Sequence, residues 1–176
     1  MPAAETSKKV KVLFVCMGNI CRSPSAEGVF RNDVETGGMG DYVEVASAGT
    51  HDYHVGAPAD RRSHAAANSR GIDLDGHRAR HLTKQDFDTY DYIVVMDEAN
   101  YRHVMKMCPP GHAEKVHYFM DFAPQLGVRE VPDPYHGGPE GFDHVLDLIE
   151  AASVGLLSDI RERHVDPPNL HPEINV

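Results

Sequence analysis

The sequence predicts an α/β fold: a single domain with an open, four-stranded parallel sheet and helices on both faces. Short apolar runs alternate with longer segments in which apolar residues recur every three or four positions. Strands joined through helices pair in parallel, because the crossover returns the chain to the same edge of the sheet. The length of 176 residues and the 41% hydrophobic content suit one domain with one core, and no internal repeat is apparent.

The strands are predicted from the apolar runs. The first and third of these lack polar alternation, which is typical of strands buried on both faces. The four predicted strands are Lys11–Val15, Tyr42–Ala48, Tyr92–Met96 and Lys115–Phe119. Ligands of such sheets bind at the carboxyl ends of the strands, so Cys16, directly after the first strand, lies where a site is expected.

The helices are predicted from apolar spacing and from their start and stop residues. Ser23 as N-cap and Pro24 in the first helical position begin the first helix, which ends near Gly37. Pro58 opens the second helix, which runs to about Arg70. The remaining helices are a short one begun by the capping-box-like segment Thr83–Asp86, one over Ala99–Met107 and a long amphipathic one from Phe142 to near Arg163.

Three segments lie outside this pattern. Residues 120–141 are rich in proline and glycine and are predicted to form a long loop, and long loops in compact domains are often functional. Residues 1–9 are predicted to be a flexible leader, and residues 164–176 a loose C-terminal tail. The folded domain is therefore expected to span 10–163.

Composition and charge argue against several classes of function. The net charge of −10 and the lack of a lysine-rich tract argue against nucleic acid as a partner of this protein. Apolar runs stay far below the roughly 18 residues of a membrane span, and residues 1–9 lack the apolar core of a signal peptide, so we expect a cytoplasmic protein with no membrane partner. The 12 histidines are scattered without metal-ligand spacing, and neither a metal nor another cofactor is predicted.

The segment from Cys16 to Ser23 has the composition of an anion-binding loop with a nucleophile. A strand, the loop Met17–Cys21 and a helix N-terminus follow one another, which points backbone N–H groups and a helix dipole at one spot. Gly18 lets the backbone approach a ligand, and Arg22 offers a planar fork for two phosphoryl oxygens. These surroundings favour the thiolate of Cys16, to which the Ser23 hydroxyl could donate a hydrogen bond. We therefore predict a phosphate-binding loop between the first strand and the first helix.

The loop closely resembles the signature of the low-molecular-weight protein tyrosine phosphatases. The matching segments, in the order of that family, are Cys16–Glu27, Ser47–Thr50, Ala79–Thr83, Asp91–Asp97 and Asp133–Tyr135. The resemblance covers roughly residues 10–163, which would then be the phosphatase domain. The signature together with the Asp-Pro-Tyr segment is far more specific than the Cys-to-Arg spacing, which unrelated phosphatases share.

The resemblance implies hydrolysis of protein phosphotyrosine, and of small aryl phosphates, through a phosphocysteine intermediate. Cys16 would attack phosphorus, and Arg22 would clamp the phosphoryl oxygens. Asp133 would protonate the leaving phenolate and then activate water. Because Asp133 must be protonated while Cys16 is ionised, we expect a mildly acidic optimum and a bell-shaped rate profile. Without Cys16, Asp133 would be interpreted as a turn residue before proline.

The resemblance also implies supporting residues around the loop. Asn19 and Ser47 match positions that hold the loop through side-chain hydrogen bonds, and His77 resembles the histidine that supports the asparagine. Tyr53 and Tyr135 resemble the aromatic walls that sandwich a phosphotyrosine ring.

Three positions refine this interpretation. Cys21 matches a second family cysteine that can form a reversible disulfide with the nucleophile, and a merely buried small side chain is an equal alternative. Ile20 favours a phenyl phosphate over a phosphoguanidinium, because the related arginine phosphatases carry threonine there. His136 stands where some relatives have a further tyrosine, so that aromatic contact is missing.

Several alternatives stay open from sequence. An arsenate reductase of the same fold would need a cascade of further cysteines, and only Cys108 follows the loop. A phosphoarginine phosphatase is disfavoured by Ile20, and a phosphopeptide-binding module would have no use for Asp133. The expected partner is a phosphotyrosine-containing protein; for a bacterial source, the resemblance suggests a bacterial tyrosine kinase.

Overall fold

The computed structural model describes residues 8–165 and contains one sheet of four parallel strands in the order β2-β1-β3-β4. The strands are β1 Val10–Cys16, β2 Val43–Gly49, β3 Tyr92–Val95 and β4 Val116–Tyr118. The predicted fold class is confirmed. The chain passes from β1 to β2 on one side and then crosses to β3 on the other, so the strand order switches between β1 and β3. The carboxyl ends of these two strands flank the crevice in which such sheets bind ligands.

The helices cover both faces of the sheet. They are α1 Arg22–Thr36, α2 Arg61–Asn68, α3 Asp86–Thr89, α4 Glu98–Met107 and α5 Pro139–Ile160. Short 3-10 turns occupy Ala113–Lys115, Phe119–Phe122 and Pro124–Leu126, and a π-helical turn over Arg161–Val165 follows α5.

Alternating side chains of β1 divide the core into two layers. Val12 and Phe14 pack with residues of α1 and α5, and Leu13 and Val15 pack with residues of α3 and α4. Phe14 is fully buried, and its ring centroid lies 5.0 Å from that of Phe119. Burial of each such side chain contributes about 1.5–3 kcal/mol. The central strand is thus fixed on both sides, and the residue at its end is held in place.

The start of α1 differs from the predicted one. The helix begins at Arg22, and its N-cap residue Cys21 makes no side-chain capping bond. The prediction of Ser23 as N-cap is wrong, because its hydroxyl is directed into the preceding loop, where it contacts Cys16 and Asn19.

The other four helices also begin at residues other than the predicted ones, with α3 at Asp86 and α4 at Glu98. α2 begins at Arg61 instead of Pro58, because the carboxylate of Asp60 caps it by accepting a hydrogen bond from the backbone two residues on. α5 begins at Pro139, a residue type suited to the first helical position, and not at Phe142.

The predicted leader and tail fall largely outside the described part of the chain. Residues 1–7 and 166–176 are not described, so the boundaries 1–9, 10–163 and 164–176 stay predictions. His164 and Val165 belong to the π-helical turn. Among residues 8–165, no helix is both long and apolar enough to cross a lipid bilayer.

Candidate active site

The segment between Cys16 and Arg22, called the phosphate loop below, turns sharply at Asn19. Asn19 has a φ of +59°, and it is the one non-glycine residue with a positive φ between residues 8 and 165. Asparagine tolerates this conformation better than most residues. The loop lies tightly against the end of β2, where a Cβ atom on Gly49 would come within 2.7 Å of the Met17 carbonyl oxygen. Glycine is therefore needed at position 49 for this close approach.

The Asn19 side chain holds the loop together from inside. Its Nδ2 donates to Ser23 Oγ at 2.7 Å and to Ser47 Oγ at 3.0 Å, and its Oδ1 accepts from the Arg80 backbone N–H at 2.9 Å. The carbonyl oxygen of Asn19 lies 2.7 Å from His77 Nε2. The side chains of Asn19, Ser47 and His77 are thus brought together around the loop, and the fully buried amide has partners on both ends.

Glu27, which sequence reasoning missed, determines which atoms donate and which accept in this network. Ser47 Oγ donates to the Glu27 carboxylate at 2.6 Å, so its oxygen is left to accept from Asn19. Ser23 Oγ also accepts from Asn19, so its own hydrogen can be donated to Cys16 Sγ, 3.0 Å away, which is nearer than the Ala48 carbonyl oxygen at 3.5 Å. The backbone N–H of Ser23 points at the same sulfur at 3.4 Å. Two hydrogen-bond donors are thus directed at the sulfur atom.

Arg22 is buried directly behind the loop, with 2% of its surface exposed. Its Nη1 donates to Asp97 Oδ2 at 2.6 Å and to the Val131 carbonyl oxygen at 3.0 Å. Its Nη2 lies 3.7 Å from Asp133 Oδ2. Burial acts to lower the pKa of the guanidinium, but the nearby Cys16, Asp97 and Asp133 outweigh it and raise that pKa. A permanent positive charge is therefore fixed beside Cys16.

Asp97 is another residue that sequence reasoning missed. It comes two residues after the end of β3. The neighbouring β1 ends with Cys16 at the same edge of the sheet. Polar residues at the carboxyl ends of adjacent parallel strands converge, so the predicted topology contained a signal for it. Its carboxylate also caps α4 by accepting from the Asn100 N–H at 2.8 Å.

A cleft of about 200 Å³ opens over the phosphate loop. It is lined by Cys16, Met17, Gly18, Ile20, Cys21, Arg22, Tyr53, His54, Asp133, Tyr135 and His136. The three predicted catalytic residues thus face one space. Asp133 comes from the irregular segment 127–138, called the acid loop below, and its Oδ1 accepts from the Tyr135 backbone N–H at 3.1 Å. That bond ties the Asp133 carboxyl group to the backbone of its own loop.

Two tyrosines form the rim of the cleft. Tyr53, which is 66% exposed, stacks on His51 with ring centroids 5.0 Å apart. Tyr135, which is 38% exposed, packs edge-on against His136 at 5.1 Å. His54, which the sequence reasoning did not single out, lies between the loop and this rim, with its ring centroid 6.4 Å from that of Tyr135.

Cys21 lines the cleft and also packs in a small apolar cluster. It is buried with Ile20, Ala79 and Phe142. Burial, with a smaller contribution from Asp60, raises the pKa of its thiol to about 12. Cys16 and Cys21 are both free cysteines. Cys21 is therefore a neutral thiol at physiological pH, and a disulfide between the two stays a prediction.

One group of side chains away from the cleft has the spacing of metal ligands. The ligand atoms of His64, Asp73 and Asp75 lie within 4.8 Å of one another. His64 Nε2 lies 2.7 Å from Asp75 Oδ1, so these two side chains already make a hydrogen bond at the surface. Exposed acidic groups of this kind are common and do not by themselves indicate a metal.

Comparison with known proteins identifies relatives over nearly the whole chain. Residues 11–166 match the family model for low molecular weight phosphotyrosine protein phosphatases. The chain is 44% identical to a low molecular weight protein-tyrosine-phosphatase of Streptomyces coelicolor, over 87% of this chain and 94% of that protein. It is 42% identical to a low molecular weight phosphotyrosine protein phosphatase of Schizosaccharomyces pombe, over 82% of this chain and 93% of that protein.

A solved structure agrees with these sequence matches. The crystal structure of a protein tyrosine phosphatase from Entamoeba histolytica, with Hepes in its active site, superposes with a TM-score of 0.85. The two chains are 39% identical, and the match covers 88% of this chain and 98% of the other.

Proposed function

The chain belongs to the low-molecular-weight phosphotyrosine protein phosphatase family, and on that premise we propose that Cys16, Arg22 and Asp133 hydrolyse phosphotyrosine through a phosphocysteine intermediate. The carrying observation is that a sulfur with two hydrogen-bond donors, a buried guanidinium and a carboxyl group line one cleft. The enzyme class follows from the family, whereas the roles of the individual residues are the proposal.

In the first step, the Cys16 sulfur attacks phosphorus and the bond from phosphorus to the tyrosine oxygen breaks. Asp133, approaching from the acid loop, gives its proton to the departing phenolate. Arg22 Nη1 is committed to Asp97 and Val131, so the remaining N–H groups of its fork are the ones available to the phosphoryl oxygens. Backbone N–H groups of the phosphate loop bind the same oxygens.

In the second step, a water molecule attacks the phosphorus of the phosphocysteine. Asp133, now ionised, takes a proton from that water, and the sulfur leaves as a thiolate while inorganic phosphate forms. The hydroxyl and the backbone N–H of Ser23 both reach the sulfur, at 3.0 and 3.4 Å, and would stabilise the departing negative charge. The same donors therefore serve both steps.

The rim supports an aromatic substrate. Tyr53 and Tyr135 stand at the mouth of the cleft, where a phenyl ring attached to the bound phosphate would lie between them. Ile20 adds an apolar lining within the loop itself, which favours a phenyl group over a charged guanidinium. We propose phosphotyrosine in proteins as the substrate, with a tyrosine kinase as one candidate protein if the source is bacterial.

Hydrolysis of para-nitrophenyl phosphate tests the nucleophile directly. The wild-type enzyme should release nitrophenol and form a phosphoenzyme that rapid acid quenching captures. The Cys16→Ser variant should bind phosphate yet release no product above background. An inactive wild-type enzyme, or an active Cys16→Ser variant, would contradict the mechanism.

A series of aryl phosphates tests Asp133. The Asp133→Ala variant should hydrolyse esters of poorly acidic phenols much more slowly, while esters of acidic phenols lose less, because their phenolates leave without a proton. A uniform loss across the series would remove Asp133 from the acid role.

The substrate class is tested by comparing phosphoarginine with phosphotyrosine. Faster hydrolysis of phosphoarginine would overturn the proposed substrate class.

A further inference from the structure

Arg62 lies on α2, outside the cleft, and is linked to the phosphate loop through Asp60. The backbone N–H of Asp60 donates to the Ile20 carbonyl oxygen at 2.8 Å. The Asp60 carboxylate, which is 11% exposed, receives Arg62 Nε and Nη2, each at 3.1 Å. Two contacts to one carboxylate fix the plane of the guanidinium as well as its position.

The same guanidinium also contacts the acid loop and the start of α5. The Arg62 Cζ atom lies 5.2 Å from the ring centroid of Tyr135 and 4.7 Å from that of Phe142. Both distances are within the range of cation–π attraction. Phe142 is buried and packs with Ile20, so this contact is anchored in the core. Arg62 therefore joins a rigid support to the exposed ring of Tyr135.

The anchors of the acid loop lie mainly before Asp133, at Arg129, Glu130 and Val131. The Val131 N–H donates to the Met96 carbonyl oxygen at 2.9 Å, and its carbonyl oxygen accepts from Arg22. The residues that follow have no regular secondary structure until Pro139 begins α5. The Asp133 carboxylate accepts from the Tyr135 backbone N–H at 3.1 Å and also lies 3.7 Å from Arg22 Nη2, so a displacement of Tyr135 would move the carboxyl group away from this position.

We infer that Arg62 is a positioning residue, which aligns Asp133 with the leaving oxygen by holding Tyr135 against the support formed by Asp60 and Phe142. The inference rests on the proposed function, because it concerns the acid that the mechanism assigns to Asp133. The hydrogen bonds to Asp60 raise the pKa of Arg62, so the guanidinium keeps its charge throughout the working range of the enzyme. Lysine would keep the charge but not the planar contact with both partners.

The consequence is specific to proton transfer. Displacement of a reacting group by about 1 Å can lower a rate up to about 100-fold, whereas phosphate binding depends on the buried loop, which Arg62 does not line. Loss of Arg62 should therefore slow esters that need a proton at the leaving oxygen and leave the binding of inorganic phosphate unchanged.

The test compares Arg62→Gln and Arg62→Lys with Arg61→Gln as the matched control. Arg61 is the preceding residue of the same helix, is exposed, and carries the same charge outside these contacts. Arg62→Gln should lower kcat/KM about tenfold for phenyl phosphate and less than about threefold for para-nitrophenyl phosphate. Its inhibition constant for inorganic phosphate should not change. Arg62→Lys should fall between Arg62→Gln and wild type, and Arg61→Gln should match wild type.

A double variant distinguishes a positioning role of Arg62 from a general structural effect. In Asp133→Ala, the Arg62→Gln change should no longer alter the ratio of the two substrates, because no acid remains to be aligned. An equal loss on both substrates, a weakened inhibition by phosphate or an equal effect of Arg61→Gln would overturn the inference. If Asp133→Ala itself leaves the ratio unchanged, the proposed function has failed; if only Arg62→Gln leaves it unchanged, the positioning role alone is wrong.

Discussion

The base and the rim of the cleft are built by different means. At the base, Asn19, Arg22 and Ser23 are buried, and each of these side chains has at least one partner at hydrogen-bond distance. At the rim, Tyr53 and Tyr135 are largely exposed and are held by contacts between rings and with one guanidinium. Chemistry at phosphorus needs fixed atoms, whereas a peptide substrate has to enter and leave. The contrast predicts that changes at the base reduce the rate, whereas loss of the Tyr53 ring, which does not hold Asp133, reduces binding.

The largest effect is expected at the base, for Arg22→Lys. Lysine keeps the positive charge but cannot donate to Asp97 and Val131 and also offer a planar fork to phosphate. Loss of one preorganised donor lowers kcat by about 10²–10³. Steady-state kinetics with para-nitrophenyl phosphate, with circular dichroism to verify folding, measure the change. A variant within tenfold of wild type would mean that charge alone suffices at the base.

The next largest effect is expected for Ser23→Ala. A hydrogen bond to a charged group contributes about 1.5–3 kcal/mol, so kcat near neutral pH should fall about 10- to 100-fold. Because the sulfur loses a donor, its departure from phosphorus should slow, and rapid acid quenching should capture more phosphoenzyme than in wild type. Ser25→Ala is the control, since that buried hydroxyl donates to the Cys21 carbonyl oxygen at 2.8 Å and not to Cys16. Equal rates and equal phosphoenzyme levels for the two variants would refute the direction of the Ser23 hydrogen bond.

A smaller effect is expected at the rim for Tyr53→Ala. Aromatic contacts contribute about 0.5–1.5 kcal/mol beyond burial, so KM for a phosphotyrosine peptide should rise about 2- to 10-fold with little change in kcat. The control substrate is a small alkyl phosphate, which has no ring to contact Tyr53 and should show no change in KM. A fall in kcat with constant KM would place Tyr53 with the base and break the contrast.

The smallest effect is expected from the histidines behind the rim. Burial, with smaller contributions from the nearby His51, Lys106 and His81, lowers the pKa of His103, whose ring centroid lies 4.9 Å from that of His51. Between that lowered value and the ordinary value of about 6.5, the unfolded chain binds more protons than the folded protein. The His103 contribution to stability is therefore present above pH 6.5 or so and is lost as the pH falls through this window.

Urea unfolding at about pH 7.5 and about pH 5.5 measures this contribution. The midpoint should fall on acidification, and His103→Gln should reduce that fall. The exposed His144→Gln is the control and should leave the fall unchanged. If His103→Gln increases the sensitivity to acid, the sign of the effect is wrong.

Much of the base could be predicted from the sequence because it is local. The loop between Cys16 and Arg22 combines a strand end, a glycine and a helix start within a few residues, and each has a direct physical interpretation. The parallel sheet followed from the alternation of apolar runs and helical spacing. The recognition of Asp133 depended on the family resemblance, because an aspartate before proline is otherwise typical of a turn.

The missed residues act over long separations in sequence. Each of these residues contacts its partner only when different elements pack together, as Asp97, Glu27 and Arg62 do. No spacing in the sequence indicates that Arg62 would link Asp60 to the ring of Tyr135. The wrong N-cap assignment of Ser23 has the same origin, because a tertiary hydrogen bond to the loop replaced the local one. Local signals therefore located the chemistry, and tertiary packing decided how its atoms are held.

The left-handed turn at Asn19 has a consequence for the kinetics of anion capture. The Asn19 side chain and the close approach of Gly49 hold the loop in its curved shape. The conformational entropy lost in bending the backbone is thus lost on folding and not on each encounter. We therefore expect small tetrahedral oxyanions such as vanadate to associate without a slow closure step, so that their residence time, rather than their arrival, distinguishes one inhibitor from another.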